Sequence, residues 1–144
     1  MTRTLLALVC LLAPLSAQVV GFPFGLGTSL TVYGSAKPGG SLNHLAILAG
    51  TTAAWVVLSL DAEPSPYLFP IDPSAGYVLI DANPPNVIGA FPMVTVSLPG
   101  TDWGYLFQIQ NDPALSGTII FAQCSLVDSS SSWHLSHAWL TPIQ

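Results

Sequence analysis

Positive charge is almost missing from this chain. Of its 144 residues two are basic and seven acidic, and only 6% are charged at all, against about a quarter in ordinary soluble domains. Grip on phosphate backbones comes from Lys and Arg, so nucleic acid is excluded as a partner and an anionic membrane surface is disfavoured. Cysteine is scarce too, with Cys10 and Cys124 alone. No stretch carries apolar residues at helical spacing free of breakers, and thirteen prolines, each lacking a backbone donor, argue against long helices. The Asn-x-Ser/Thr acceptor of N-glycosylation, the Gly-x-Ser-x-Gly nucleophile turn and the Asp-x-Asp-x-Asp-Gly calcium loop are all absent.

What is present begins with an export signal. Residues 1–17, MTRTLLALVCLLAPLSA, have Arg3 as a short positive region, Leu5 to Leu12 as an apolar region broken by Pro14, and Leu15-Ser16-Ala17 as a cleavage site. The apolar run is too short to span a bilayer. Val9 stands before Cys10 where lipid attachment wants a small residue, so a lipoprotein is disfavoured. Cleavage after Ala17 predicts a secreted or cell-envelope protein of residues 18–144, with no stable membrane span, one basic residue (Lys37) and a net charge of −6. Cys124 is then the last cysteine, which leaves no intrachain disulfide. Its strand-like setting, FAQCSLV, predicts burial as a small apolar group.

The mature region reads as strands separated by Gly, Pro, Ser and Asp breaks. About nine are expected, near 29–33, 44–49, 53–61, 67–71, 77–81, 92–98, 105–110, 118–127 and 133–141. Alternation puts Val94, Val96 and Leu98 on one face and Met93 and Thr95 on the other; Tyr105, Phe107 and Ile109 oppose Leu106 and Gln108 in the same way. The 53–61 strand is apolar on both sides, which predicts a place in mid-sheet or beneath a loop. Lys37-Pro38-Gly39-Gly40, DAEPSP (61–66), DPSAG (72–76), Asn83-Pro84-Pro85-Asn86 and DSSSS (128–132) read as turns and loops. The expected fold is all-β: one two-layer antiparallel sandwich, immunoglobulin-like or jelly-roll-like, with a closed barrel as the alternative.

The C-terminal half carries a resemblance. Asn111-Asp112-Pro113-Ala114-Leu115-Ser116-Gly117 leads into Ile119-Ile120-Phe121-Ala122-Gln123, and Leu135-Ser136-His137-Ala138 follows Asp128. This resembles small exported β-domains of unknown function common in planctomycete-type bacteria, whose tails read Pro-x-Leu-x-Gly, an apolar strand ending in Ala-Gln, an Asp-containing turn, then Leu-Ser-Asn-Ala. The likeness is best over about the last 40 residues, and Tyr33-Gly34-Ser35 and Pro38-Gly39-Gly40-Ser41 fit the glycine-rich opening loosely. His137 stands where that pattern has Asn, and the extra cysteines common in such domains are missing. The resemblance implies an exported β-fold, no cofactor and no catalytic residue.

Candidate chemistry is thin. His134 and His137, with His44 elsewhere, are the metal candidates, but on one continuous strand a three-residue offset puts the pair on opposite faces. Gly39-Gly40-Ser41 is the nearest string to a nucleophile turn, and it lacks the final Gly and a following helix. Asp61 and Glu63 are the nearest carboxylate pair for glycoside hydrolysis, within a loop. Calcium would suit loop carboxylates but lacks its motif. Trp55, Trp103, Trp133 and Trp139 raise sugar stacking. Trp55 reads as core, and Trp103, between Gly100 and Gly104, is the candidate ligand contact. Together these lead to a non-catalytic structural or interaction module of the envelope or extracellular matrix, with no cofactor or metal, partnered by other exported proteins or by itself. A carbohydrate-binding module is the alternative, and a small secreted hydrolase the third reading.

Overall fold

A computed structural model describes residues 18–20, 29–96 and 102–144, the first three by backbone alone. The export signal expected at 1–17 lies outside the described residues. Twelve strands occur among those described: β1 (Gln18–Val20), β2 (Ser29–Gly34), β3 (Ser41–Ile47), β4 (Thr51–Ser59), β5 (Ala62–Leu68), β6 (Tyr77–Ile80), β7 (Val87–Pro92), β8 (Val94–Thr95), β9 (Asp102–Gln108), β10 (Ile119–Asp128), β11 (Trp133–Leu135) and β12 (Ala138–Pro142). Two single 3-10 turns, Pro73–Ala75 and Pro113–Leu115, are each capped by the aspartate before the proline. No helix of the described residues is long and apolar enough to cross a membrane.

The strands form an antiparallel sandwich, as expected. One sheet runs β1-β12-β10-β4-β7, with β11 also paired to β10; the other runs β2-β3-β9-β8. Alternate residues of both sheets meet between them: Leu30, Leu42 and Ala46 from the four-stranded sheet face Val56, Leu58, Cys124 and Leu126 from the six-stranded one, all at 2% exposure or less. Each leucine or valine so enclosed stabilises the fold by roughly 1.5–3 kcal/mol. Both sheets keep free edges within the described residues, so the closed barrel is not formed.

β4 sits in mid-sheet, as its two apolar faces predict, between β10 and β7. Its outer face lies beneath a third layer absent from the sequence reading, the two-stranded sheet β5–β6. The DAEPSP segment, expected to be a loop, lies within β5 from Ala62 onward; residues 63–66 bulge between the Ala62↔Ile80 and Tyr67↔Val78 pairings.

Two expected strands are each split. The stretch at 92–98 crosses between sheets: Val87–Pro92 pairs with β4 and Val94–Thr95 with β9. At that crossing Met93 turns inward, 4% exposed, and Val94 and Val96 face solvent, on opposite faces as alternation expects; Leu98 lies outside the described residues. The stretch at 133–141 breaks at Ser136–His137, where Ser136 exchanges bonds with Cys124: the Ser136 N–H donates to the Cys124 carbonyl and the Cys124 N–H to Ser136 Oγ, both at 2.9 Å.

Candidate functional site

The acidic residues are occupied by turns. Asp128 Oδ1 accepts from the Ser130 N–H (2.8 Å), Ser130 Oγ (2.6 Å) and the Ser132 N–H (3.0 Å), and Oδ2 meets His134 Nε2 at 2.8 Å. The Ser130 hydroxyl, with the others behind it, holds this carboxyl far below the usual range. Asp72 accepts from the N–H and hydroxyl of Ser74 and from the Trp133 N–H, tying the first 3-10 turn to β11; the Ser74 hydroxyl is the main cause of its lowered pKa. Asp81 clamps Asn83 and Asn86 around the cis Pro84–Pro85 bond. Asp61, Glu63 and Asp112 each accept from a backbone N–H one or two residues onward. Six of the seven carboxylates are therefore turn staples. The Asp61 and Glu63 pair expected for glycoside chemistry is engaged in this way.

The three histidines part company. His44 faces inward on β3, 1% exposed, with Nδ1 lacking a partner. Burial lowers its pKa from 6.5 to about 4, against the opposing pull of a hydrogen bond to the Tyr105 backbone. His134 pairs with Asp128, while His137 Nε2 lies 2.9 Å from the Leu30 carbonyl on β2 and links the two sheets. The strand break at Ser136–His137 removes the parity argument against a metal pair, but each imidazole has a separate partner. No group of three His, Cys, Asp or Glu able to hold a metal occurs among the described residues. Ser41 opens β3 after a tight turn, where Gly39 has φ +75. Cys124 is fully buried with Sγ 3.6 Å from Met93 Sδ, and burial pushes its thiol pKa strongly upward.

The tryptophans are packed. Trp55 stacks on Trp133 with ring centres 5.8 Å apart, and Phe69 tilts against Trp133 at 5.4 Å; Trp55 is thus half-buried on the outer side of β4 rather than between the sheets. Trp103, the expected ligand contact, lies opposite Ala46 and packs against the inter-sheet core, with Nε1 buried. Its parity with Tyr105 and Phe107 on β9 could have shown this. Its ring is half-buried.

The exposed apolar surface lies on the other side of those same strands. Residues paired directly across strands point the same way. Tyr33, Asn43 and Leu106 make one row across the four-stranded sheet, and Thr31, Leu45, Gly104 and Val94 the next. Tyr33, Val94, Val96 and Leu106 are each more than half exposed. Val96 lies over Gly104, where a Cβ would stand only 2.8 Å from a Val96 methyl; glycine here keeps the face flat. A third row is Ser29, Ile47 and Asp102, and Asp102 is the sole charged residue on the three among the described residues. Sequence reading missed the surface because the apolar residues of an alternating strand are assigned to the core by default, and the outer face here draws its apolar residues, Tyr33, Val94, Val96 and Leu106, from separate strands. Comparison with protein families, with curated proteins and with solved structures finds no match to this chain.

Proposed function

We propose that this is an exported, non-catalytic structural or interaction module of the bacterial cell envelope or extracellular matrix, and that it associates with its own copies through the outer face of the four-stranded sheet. One observation carries the reading: a sheet face on which Tyr33, Val94, Val96 and Leu106 are all more than half exposed and on which Asp102, at one end, is the sole charge among the described residues. The N-terminal sequence and the resemblance of the last 40 residues support the location. The occupation of the carboxylates by turns supports a non-catalytic role.

A second copy is the fitting partner on charge grounds. The chain carries a net −5, but on this face a basic partner would find only Asp102, at one end, to grip. An identical face, uncharged but for that one carboxylate, meets this one with little ionic mismatch. From the strand spacing of about 4.8 Å and rise of about 3.4 Å, four strands of up to seven residues present roughly 400 Å². Stable interfaces bury about 800 Å² per partner, so the association is weak and concentration-dependent.

Sedimentation velocity over a hundredfold range of concentration tests this. The weight-average mass rises with concentration, persists in high salt, and falls to that of a monomer in Leu106→Glu and Val94→Glu. A monomer throughout, or association that salt abolishes and these substitutions leave intact, refutes the proposal.

A further inference from the structure

A separate apolar cleft opens beside the inter-sheet core, lined from both sheets. It has a volume of about 290 Å³. Ile109, Ile120 and Ile143, each 3–4% exposed, belong to the inter-sheet core and also line the cleft; Leu60 and Ile88, 46% and 37% exposed, line it as well. Its polar lining residues are Gln108, Gln110 and Thr118, and no ionisable side chain among the described residues lines it. This is the opposite of a sugar site, which needs open ring faces and many hydrogen-bonding groups, and of an anion or metal site, which needs charge.

We propose that this cleft binds an unbranched, uncharged aliphatic chain, such as the hydrocarbon of a fatty alcohol or of a neutral lipid. Three features select that ligand. The lining is aliphatic, with Phe107 its one aromatic ring, so it suits methylene groups rather than stacked rings. A cavity of about 150 Å³ takes a six-carbon ring, so this one has room for roughly ten carbons. The side-chain amides of Gln108 and Gln110 and the hydroxyl of Thr118 can meet a hydroxyl or ester end, while the missing cation disfavours a carboxylate. The cleft lies between the sheets and the association face on the outside of one of them, so either can fail without the other.

Titration with dodecanol, followed by the methyl resonances of the isoleucines, tests the site on the unaltered protein. Saturable shifts are expected at Ile88, Ile109, Ile120 and Ile143, with Ile47 and Ile71 unmoved. Ile80, which lines a different cavity of about 140 Å³ beneath β5–β6, also stays unmoved. Ile88→Trp, which fills the cleft from an already exposed position, weakens binding at least tenfold with its unfolding midpoint kept, while Val94→Glu on the outer face does not. No saturable shift, shifts centred on Ile80, or equal affinity in Ile88→Trp overturns the proposal.

Discussion

Acid destabilises this protein through His44 before its carboxylates take part. The imidazole is enclosed by the core, and its pKa falls from 6.5 to about 4 because burial disfavours the charged ring. Its titratable neighbour, Tyr105, stays neutral throughout the acid range, with a pKa raised by burial. The folded protein therefore keeps His44 neutral down to about pH 4, while the unfolded chain protonates it from about 6.5. Between those values the unfolded state holds more protons, so stability falls as pH falls. At about 1.4 kcal/mol per unit, a shift of this size amounts to roughly 3 kcal/mol, complete below pH 4. That is a large part of the 5–15 kcal/mol typical of a domain. The resolved carboxylate shifts, at Asp72, Asp81 and Asp128, are all downward, so their losses set in only at about pH 5, lie mostly below about pH 4, and are shared by a variant lacking His44. Urea unfolding at half-unit steps from pH 7 to 4 measures the slope. His44→Leu keeps apolar volume in the core and removes the unpaired Nδ1; it flattens the slope, while His134 and His137 remain in both proteins. Parallel loss of stability in the two proteins across this window would refute the reasoning.

Three other perturbations have defined outcomes. Gln123→Ala removes an amide that accepts from the Leu79 N–H and donates to the Tyr77 and Ser136 carbonyls; it costs about 2–4 kcal/mol, and hydrogen exchange speeds up most in β6, whereas uniform acceleration would contradict its role as the tether of that layer. The Cys124 thiol, buried and with its pKa raised, resists a disulfide reagent in the folded state and reacts fully in denaturant; rapid native labelling would place it elsewhere. Gly34→Ala puts a Cβ against the Ser41 carbonyl at φ +133 and lowers the unfolding midpoint by several degrees through backbone strain, and an unchanged midpoint would show that the turn relaxes.

Alternation and turn chemistry, both local, were legible in the residues. They identified an all-β chain, placed β4 in mid-sheet, put Ile109 on one face with Tyr105 and Phe107, and made Cys124 a buried thiol. They also located most turns, because an aspartate before Pro or Ser accepts its backbone bonds within a few residues wherever it sits. Three-dimensional pairing decided what alternation leaves open. Period two separates the faces of a strand but does not say which is covered, so Met93 went in and Val94 and Val96 out once the chain changed sheets. The break at Ser136, the third layer held by Gln123, the inward Trp103, the aliphatic cleft and the bare outer face of β2-β3-β9-β8 all arise from contacts between residues far apart along the chain. No local pattern encodes them, because which surface is left uncovered depends on where every other strand has gone.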